Sequence, residues 1–183
     1  MAKITFLGTS SSIPTKTRDN TSLINYFNVY KKSSFIELPD IKIQAIKNLH
    51  CKNSFGIKVF VDKKSFFYSS DTAFSSKTLK SAGKVELIIH DCTASKSFFE
   101  THPSLYKMHT CAQDLADYLE NKSNITLIPI HFLYLNINEE KKVKKKLKKL
   151  KNRVIFVNDF DKINLQSYPK LILPLWSKWT ICN

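Results

Sequence analysis

Strand-length runs that each end near a histidine or an aspartate recur through the middle of this chain, and no other feature limits its fold as sharply. Residues 41–46 precede His50, 66–69 precede Asp71, 85–89 precede Asp91 and 125–130 precede His131. The first run alternates apolar and polar side chains with period two, as a half-buried strand should. The last is apolar enough for a buried strand. In an α/β sheet, groups presented beyond the strand ends converge on one rim, which is where ligands bind. Imidazole and carboxylate are donor types that suit zinc or manganese, and metal activation of water gives hydrolysis near neutral pH.

The remaining pattern fits alternating strands and helices. Residues 3–7 read as a short strand, followed by a loop of small hydroxyl residues around Gly8; 21–27 and 34–37 are further strand candidates. Residues 54–61 and 64–69 form a hairpin that turns at Asp62-Lys63. Then the period changes. Residues 72–81 suit a helix that Gly83 ends, 85–90 a strand, and 110–121 an amphipathic helix with Thr110 as N-cap and Gln113 three residues on. Val143, Leu147 and Leu150 place one apolar stripe on a helix over 139–151, with lysines on its solvated side. Residues 154–157 and 162–165 read as short strands. Taken alone, Asp71 reads as the cap of the helix after it, and a lone histidine as a structural residue; only the ordered set points to a site.

With 183 residues, 43% of them hydrophobic, the chain suits one domain with its own core. No apolar run of about 18 residues occurs, so no membrane span is expected. The four cysteines, Cys51, Cys92, Cys111 and Cys182, include no CxxC pair and read as reduced thiols of a soluble cytoplasmic protein. The net charge of +14 favours polyanions, so a nucleic acid could meet the lysine-rich surface. Against that, nearly all the positive charge is lysine, with Arg18 and Arg153 the two arginines, a composition that genome bias also produces. The stretch 168–183 carries Pro169, Pro174, Trp176 and Trp179, which suggests packing onto the domain or onto a second copy.

In order along the chain, these pieces resemble one known family. Phe6-Leu7-Gly8-Thr9-Ser10-Ser11-Ser12-Ile13-Pro14-Thr15, with Arg18-Asp19-Asn20-Thr21-Ser22, is similar to the first strand and loop of the metallo-β-lactamase superfamily in its ribonuclease Z and cyclic-nucleotide phosphodiesterase branch. His50 with Asn53-Ser54-Phe55-Gly56-Ile57 resembles the histidine ligand and the Ser-aromatic-Gly strand after it. Tyr68-Ser69-Ser70-Asp71-Thr72 resembles the Ser-Gly-Asp-Thr segment, whose aspartate bridges two metals. His90-Asp91-Cys92-Thr93 stands where ribonuclease Z has His-Glu-Ala-Thr, and His109-Thr110-Cys111-Ala112 where it has the His-Ser-Thr-Ala motif that supplies a proton to the leaving group. Pro129-Ile130-His131-Phe132 resembles the last histidine ligand, and Val157-Asn158-Asp159-Phe160 a terminal Ala-x-Asp-Gly turn without its glycine.

The resemblance implies an α/β fold, a truncated metallo-β-lactamase-type αββα sandwich. It implies metal ligands His50, Asp71 and His131, catalytic roles for Asp91 and His109, and zinc or manganese as cofactor. The family's HxHxDH motif is absent, since no histidine precedes His50. The expected complement is therefore one ion or none, and the shortened first half implies a homodimer or another partner to cover apolar surface. Three functions fit: a divergent phosphodiesterase acting on RNA or a cyclic nucleotide, an inactive nucleotide- or nucleic-acid-binding protein, and an assembly protein that inherited the fold.

Overall fold

A computed structural model describes residues 3–5, 35–52, 54–133, 137–165 and 172–173. The first strand, β1 (Lys3–Thr5), belongs to a small sheet. The main sheet comes next in chain order: β2 (Phe35–Leu38), β3 (Ile41–Lys47), β4 (Phe55–Val61), β5 (Lys64–Tyr68), β6 (Leu87–Asp91) and β7 (Thr126–Ile130). Strands β2 to β5 are antiparallel neighbours, and β5, β6 and β7 run parallel. The β4–β5 hairpin turns at Asp62-Lys63 as expected, with Asp62 at φ +53, a conformation that aspartate tolerates better than most residues. Gly56 on β4 admits no side chain: a Cβ there would lie 2.8 Å from the Phe67 ring and from the Tyr68 carbonyl oxygen.

Helices enter at the crossovers between parallel strands. The chain from β5 to β6 carries α1 (Ser76–Ser81), four residues shorter at its start than expected. Thr72 and Ala73 are held in the loop instead, because the Thr72 N–H donates to the Asp91 carboxylate at 3.1 Å and the Ala73 N–H to the Leu49 carbonyl at 2.7 Å. Ser75 caps α1, and Gly83 comes after it at φ +65 with its N–H on the Lys80 carbonyl. Between β6 and β7 come α2 (Lys96–Thr101), α3 (Pro103–Tyr106) and α4 (Ala112–Leu119), of which the first two carry no clear apolar period and were not expected. The cap of α4 is Cys111 rather than Thr110, whose hydroxyl donates to the Thr72 carbonyl at 2.7 Å.

After β7, α5 (Ile137–Leu147) runs into a 3-10 turn at Lys148–Arg153. The Arg153 guanidinium donates to the carbonyls of Leu119, Glu120 and Lys122, satisfying the open end of α4. Residues 154–157 do not form the expected strand: Val154 makes a single bridge to Leu127. Strands β8 (Lys162–Asn164) and β9 (Ile172–Leu173) complete the small sheet with β1, in the order β1-β8-β9.

Two apolar clusters sandwich the main sheet. Ile46, Phe67, Ile88 and Leu127 on one face meet Leu79, Leu115, Leu119, Val143 and Leu147 from α1, α4 and α5. Phe66, Leu87, Ile89, Ile128 and Ile130 on the other face meet Ile163 and Leu165 at β8, with no helical residue in that cluster. The layers are thus helices, main sheet and small sheet. The loop at Gly8, the expected strand over 21–27 and the tryptophans at 176 and 179 lie outside the described residues, as does most of the aromatic tail around β9. Among the described residues no helix is long and apolar enough to cross a membrane.

Candidate functional site

The parallel order of β5, β6 and β7 points their carboxyl ends to one rim, and each of these strands delivers a chemically useful side chain there. Asp71 lies just beyond β5, Asp91 is the last residue of β6, and His131 comes directly after β7. His50 comes from the loop after β3, tied to the Asp71 loop by the Leu49 N–H, which donates to the Thr72 hydroxyl at 3.1 Å. His109 comes from the segment between α3 and α4.

All five residues named from the sequence meet there. The His50 and His109 ring centres are 5.1 Å apart, and those of His109 and His131, stacked nearly parallel, 5.0 Å. His131 Nδ1 lies 3.2 Å from Asp71 Oδ1, and His109 Nδ1 lies 2.9 Å from Asp91 Oδ2. Among the described residues, the three whose donor atoms all approach within 4.8 Å of one another are Asp91, His109 and His131, a different trio from His50, Asp71 and His131. Hydrogen bonding separates their roles. Fully buried Asp91 accepts from the Thr72 N–H and His109 at Oδ2, and from the Thr93 hydroxyl and the Thr110 N–H at Oδ1. That occupies all four lone-pair directions of a carboxylate and leaves none for an ion.

His131 is in the opposite condition. Its Nδ1 is buried and makes no hydrogen bond, because the nearby Asp71 oxygen is close but poorly aligned. An orphaned imidazole nitrogen costs free energy unless something else engages it. The 3.2 Å gap to Asp71 Oδ1 is close to the roughly 3.4 Å between neighbouring ligands of a tetrahedral ion with bonds of about 2.1 Å. His50 Nδ1 donates to the Met108 carbonyl at 3.0 Å, which fixes the tautomer and leaves Nε2 free, the usual state of a metal-bound imidazole. His131 and Asp71 are thus spaced as two ligands of one divalent cation would be, whereas the donor atoms of His50, Asp71 and His131 do not form a trio within 4.8 Å of one another.

Two of the five non-glycine residues with positive φ among the described residues lie at the same rim. Ser70 and His131 adopt φ of +56 and +64, conformations that ordinary residues avoid. Ser70 stands at the glycine of the Ser-Gly-Asp-Thr pattern, and the loop is held by the Ser69 hydroxyl, which accepts from the Asp91 N–H at 2.9 Å, and by Asn48, whose amide donates to the Ser69 carbonyl.

The electrostatics suit proton transfer. Burial works against charge on Asp91, yet the hydrogen bond from His109, the charges of His131 and His109, and the Thr93 hydroxyl together hold its carboxyl below the usual range. Burial likewise works against a charged His109, but its bond to Asp91 and the charges of Asp91 and Asp71 raise its pKa. His109 is thus a better-retained proton carrier than a free histidine, with Nδ1 anchored and Nε2 available. His90 plays no such part: buried, with Nδ1 2.8 Å from the Asp91 carbonyl, it is pushed by burial toward the neutral form. Thr72, Thr93 and Thr110 were not named as site residues from sequence, Thr110 being read as a helix cap, though each lies within two residues of one that was.

A family model described as Anti-Pycsar protein Apyc1 matches residues 5–147. Among solved structures, the metallo-β-lactamase fold protein YhfI from Bacillus subtilis is 11% identical, with a TM-score of 0.61, 74% of this chain covered and 54% of that one. The short form of human tRNase Z is 17% identical, with a TM-score of 0.52 and 73% and 47% covered. Zn(2+)-bound PqqB from Methylobacterium extorquens is 10% identical, with a TM-score of 0.50 and 74% and 51% covered. These likenesses establish the metallo-β-lactamase fold expected from the sequence motifs. The chain spans about half the length of these structures. No curated protein sequence matches.

Proposed function

The chain is a member of the Anti-Pycsar protein Apyc1 family, and from that premise we propose that it is a metal-dependent phosphodiesterase whose substrate is a cyclic nucleotide. The family name points to a cyclic-nucleotide role, and the ribonuclease Z-type motifs point to phosphodiester cleavage. The observation that carries the reading is the 2.9 Å hydrogen bond between buried Asp91 and His109, beside the His131 and Asp71 pair.

His131, Asp71 and His50 would hold one zinc or manganese ion, which when bound supplies positive charge against the phosphoryl oxygens and activates water. Asp91 fixes the His109 ring through Nδ1, so that the proton on Nε2 faces the shared rim. His109 then donates that proton to the leaving oxygen as the phosphodiester bond breaks, a contribution worth about 10²–10⁴-fold in rate. Asp91 makes the donation effective by keeping the ring oriented and favouring its protonated form.

Hydrolysis of bis(p-nitrophenyl) phosphate and of 3′,5′-cyclic nucleotides, with zinc or manganese added, tests this. Metal-dependent turnover that His109→Ala lowers by at least about a hundredfold is the expected result. No turnover with either metal would overturn it. A second reading is favoured by the absence of any histidine before His50, which removes the HxHxDH ligands: a nucleotide-binding protein without catalysis. Nucleotide binding that survives chelation, in a sample showing no turnover, would select that reading.

A further inference from the structure

Of the five rim residues, four stand on segments that are joined directly to Thr72. Thr72 follows Asp71 in the chain, and its N–H donates to Asp91 Oδ2 at 3.1 Å. Its carbonyl accepts from the hydroxyl of Thr110, the neighbour of His109, at 2.7 Å. Its hydroxyl accepts from the N–H of Leu49, the neighbour of His50, at 3.1 Å, and donates to the Ala73 carbonyl at 2.9 Å. These bonds differ in what they ask of the side chain. Any residue could supply the N–H and the carbonyl, but only a hydroxyl can take the Leu49 N–H while giving its own proton away. The hydroxyl has no part in capping α1, whose cap is Ser75. Thr72 is also buried, so water does not account for the polar group, and valine would fill the same space without a hydroxyl to desolvate.

We propose that Thr72 is a positioning residue for the rim, whose hydroxyl sets where Leu49, and through it His50, stands relative to Asp71 and to the Asp91 and His109 pair. Leu49 is gripped at both of its backbone groups by consecutive residues of the Asp71 loop, since the Ala73 N–H donates to its carbonyl at 2.7 Å. His50 comes next in the chain, and its Nδ1 bond to the Met108 carbonyl depends on the loop being held at that height. The Thr72 partners lie 19, 23 and 38 residues away in sequence, so one side chain and its backbone bring three distant segments into register. Reacting groups tolerate little displacement: a shift of about 1 Å can cost about a hundredfold in rate. The effect on turnover rests on the reading of the rim as a phosphodiesterase, whereas the effect on the His50 ring does not.

Three variants of the full chain test the assignment. Thr72→Val removes the hydroxyl and keeps both backbone bonds, Thr72→Ser keeps the hydroxyl, and Thr78→Val deletes another buried hydroxyl, bonded to the Lys47 carbonyl at 3.3 Å. Nitrogen-15 NMR of the imidazoles, without added metal, should show His50 protonated at Nδ1 in the unsubstituted chain, in Thr72→Ser and in Thr78→Val. Thr72→Val should mix in the other tautomer as the Met108 bond loosens. Metal-dependent hydrolysis of bis(p-nitrophenyl) phosphate should fall about 10–100-fold in Thr72→Val and less than about threefold in the other two. Amide exchange of the unsubstituted chain gives a reading that needs no variant to fold: the Leu49 N–H should be protected. Exchange of that N–H at the unfolded rate, an unmoved His50 tautomer in Thr72→Val, the same change in Thr78→Val, or no rescue by serine would overturn the proposal. A moved tautomer in a protein that hydrolyses no phosphodiester would uphold the role of Thr72 and sink only the reading of the rim.

Discussion

Replacing Asp91 by asparagine keeps the shape of the side chain and changes only what one end offers its neighbours. Oδ1 can still accept from the Thr93 hydroxyl at 2.7 Å and the Thr110 N–H at 3.4 Å. The other end becomes an amide donor that faces two donors, the Thr72 N–H at 3.1 Å and the His109 Nδ1 at 2.9 Å. His109 can answer by moving its proton to Nε2 and accepting at Nδ1, but Thr72 cannot. One buried backbone N–H left without a partner costs about 1–3 kcal/mol, and the lost charge-assisted bond to His109 adds about 1 kcal/mol after the tautomer shift, giving about 2–4 kcal/mol in all. Urea unfolding followed by fluorescence should show that loss for Asp91→Asn. An NMR titration of the His109 ring should show its pKa falling, because the hydrogen bond and charge that raise it are gone. The proposed turnover should fall further than stability does, since the misplaced tautomer persists in the folded protein. A stability change under about 0.5 kcal/mol together with an unmoved His109 titration would refute the account of Asp91 as the saturated anchor of the ring.

The dyad also makes stability depend on pH at both ends. The depressed Asp91 carboxyl contributes above its unfolded value near 4 and that contribution is lost as pH falls through the lower folded value, whereas the raised His109 contributes below about 6.5 and is lost as pH rises through its higher folded value; in chelator, unfolding midpoints should therefore decline on both sides, and Asp91→Asn should flatten both limbs. Phe160 is 57% exposed and sits at φ +68 in the turn closed by the Asp161 N–H on the Asn158 carbonyl, so Phe160→Gly should stabilise by about 0.5–1 kcal/mol in urea while Phe160→Ala, which keeps a Cβ, should not. Gly56→Ala should destabilise by about 1–3 kcal/mol, because the Tyr68 carbonyl that its Cβ would strike is backbone and cannot swing aside; an unchanged thermal midpoint would contradict the close approach of β4 and β5.

Much of the rim was legible in the sequence because the chemistry repeats with the strands. A strand of period two or a buried apolar run can be recognised one residue at a time, and the residue just beyond it is then placed at a strand end without knowing which strands are neighbours. That is why His50, Asp71, Asp91 and His131 could be placed from the strand pattern, whereas His109, which follows no strand, was named from the motif resemblance alone. The lost glycine of the terminal turn was legible in the same way, and the positive φ at Phe160 shows what the substitution left behind. Helix starts were less legible. Residues 72 and 110 looked helical or cap-like because local sequence cannot show that their N–H groups are claimed by a carboxylate on another strand.

The motif resemblance already set Asp71 apart from Asp91, but the hydrogen bonding that makes them different belonged to the tertiary structure alone. Composition and spacing treat Asp71 and Asp91 as equivalent carboxylates at strand ends; only packing gives Asp91 four hydrogen-bond donors and leaves Asp71 partly open beside an unpartnered imidazole. The same holds for the lysines of α5. Their helical spacing and the apolar stripe beside them are written in the sequence, but whether the polar side meets open solvent or another wall depends on where α2 and α4 pack. Local periodicity is a property of one segment, whereas saturation of a buried group and the closing of a cavity are set by atoms that segments far apart in the chain bring to the same place.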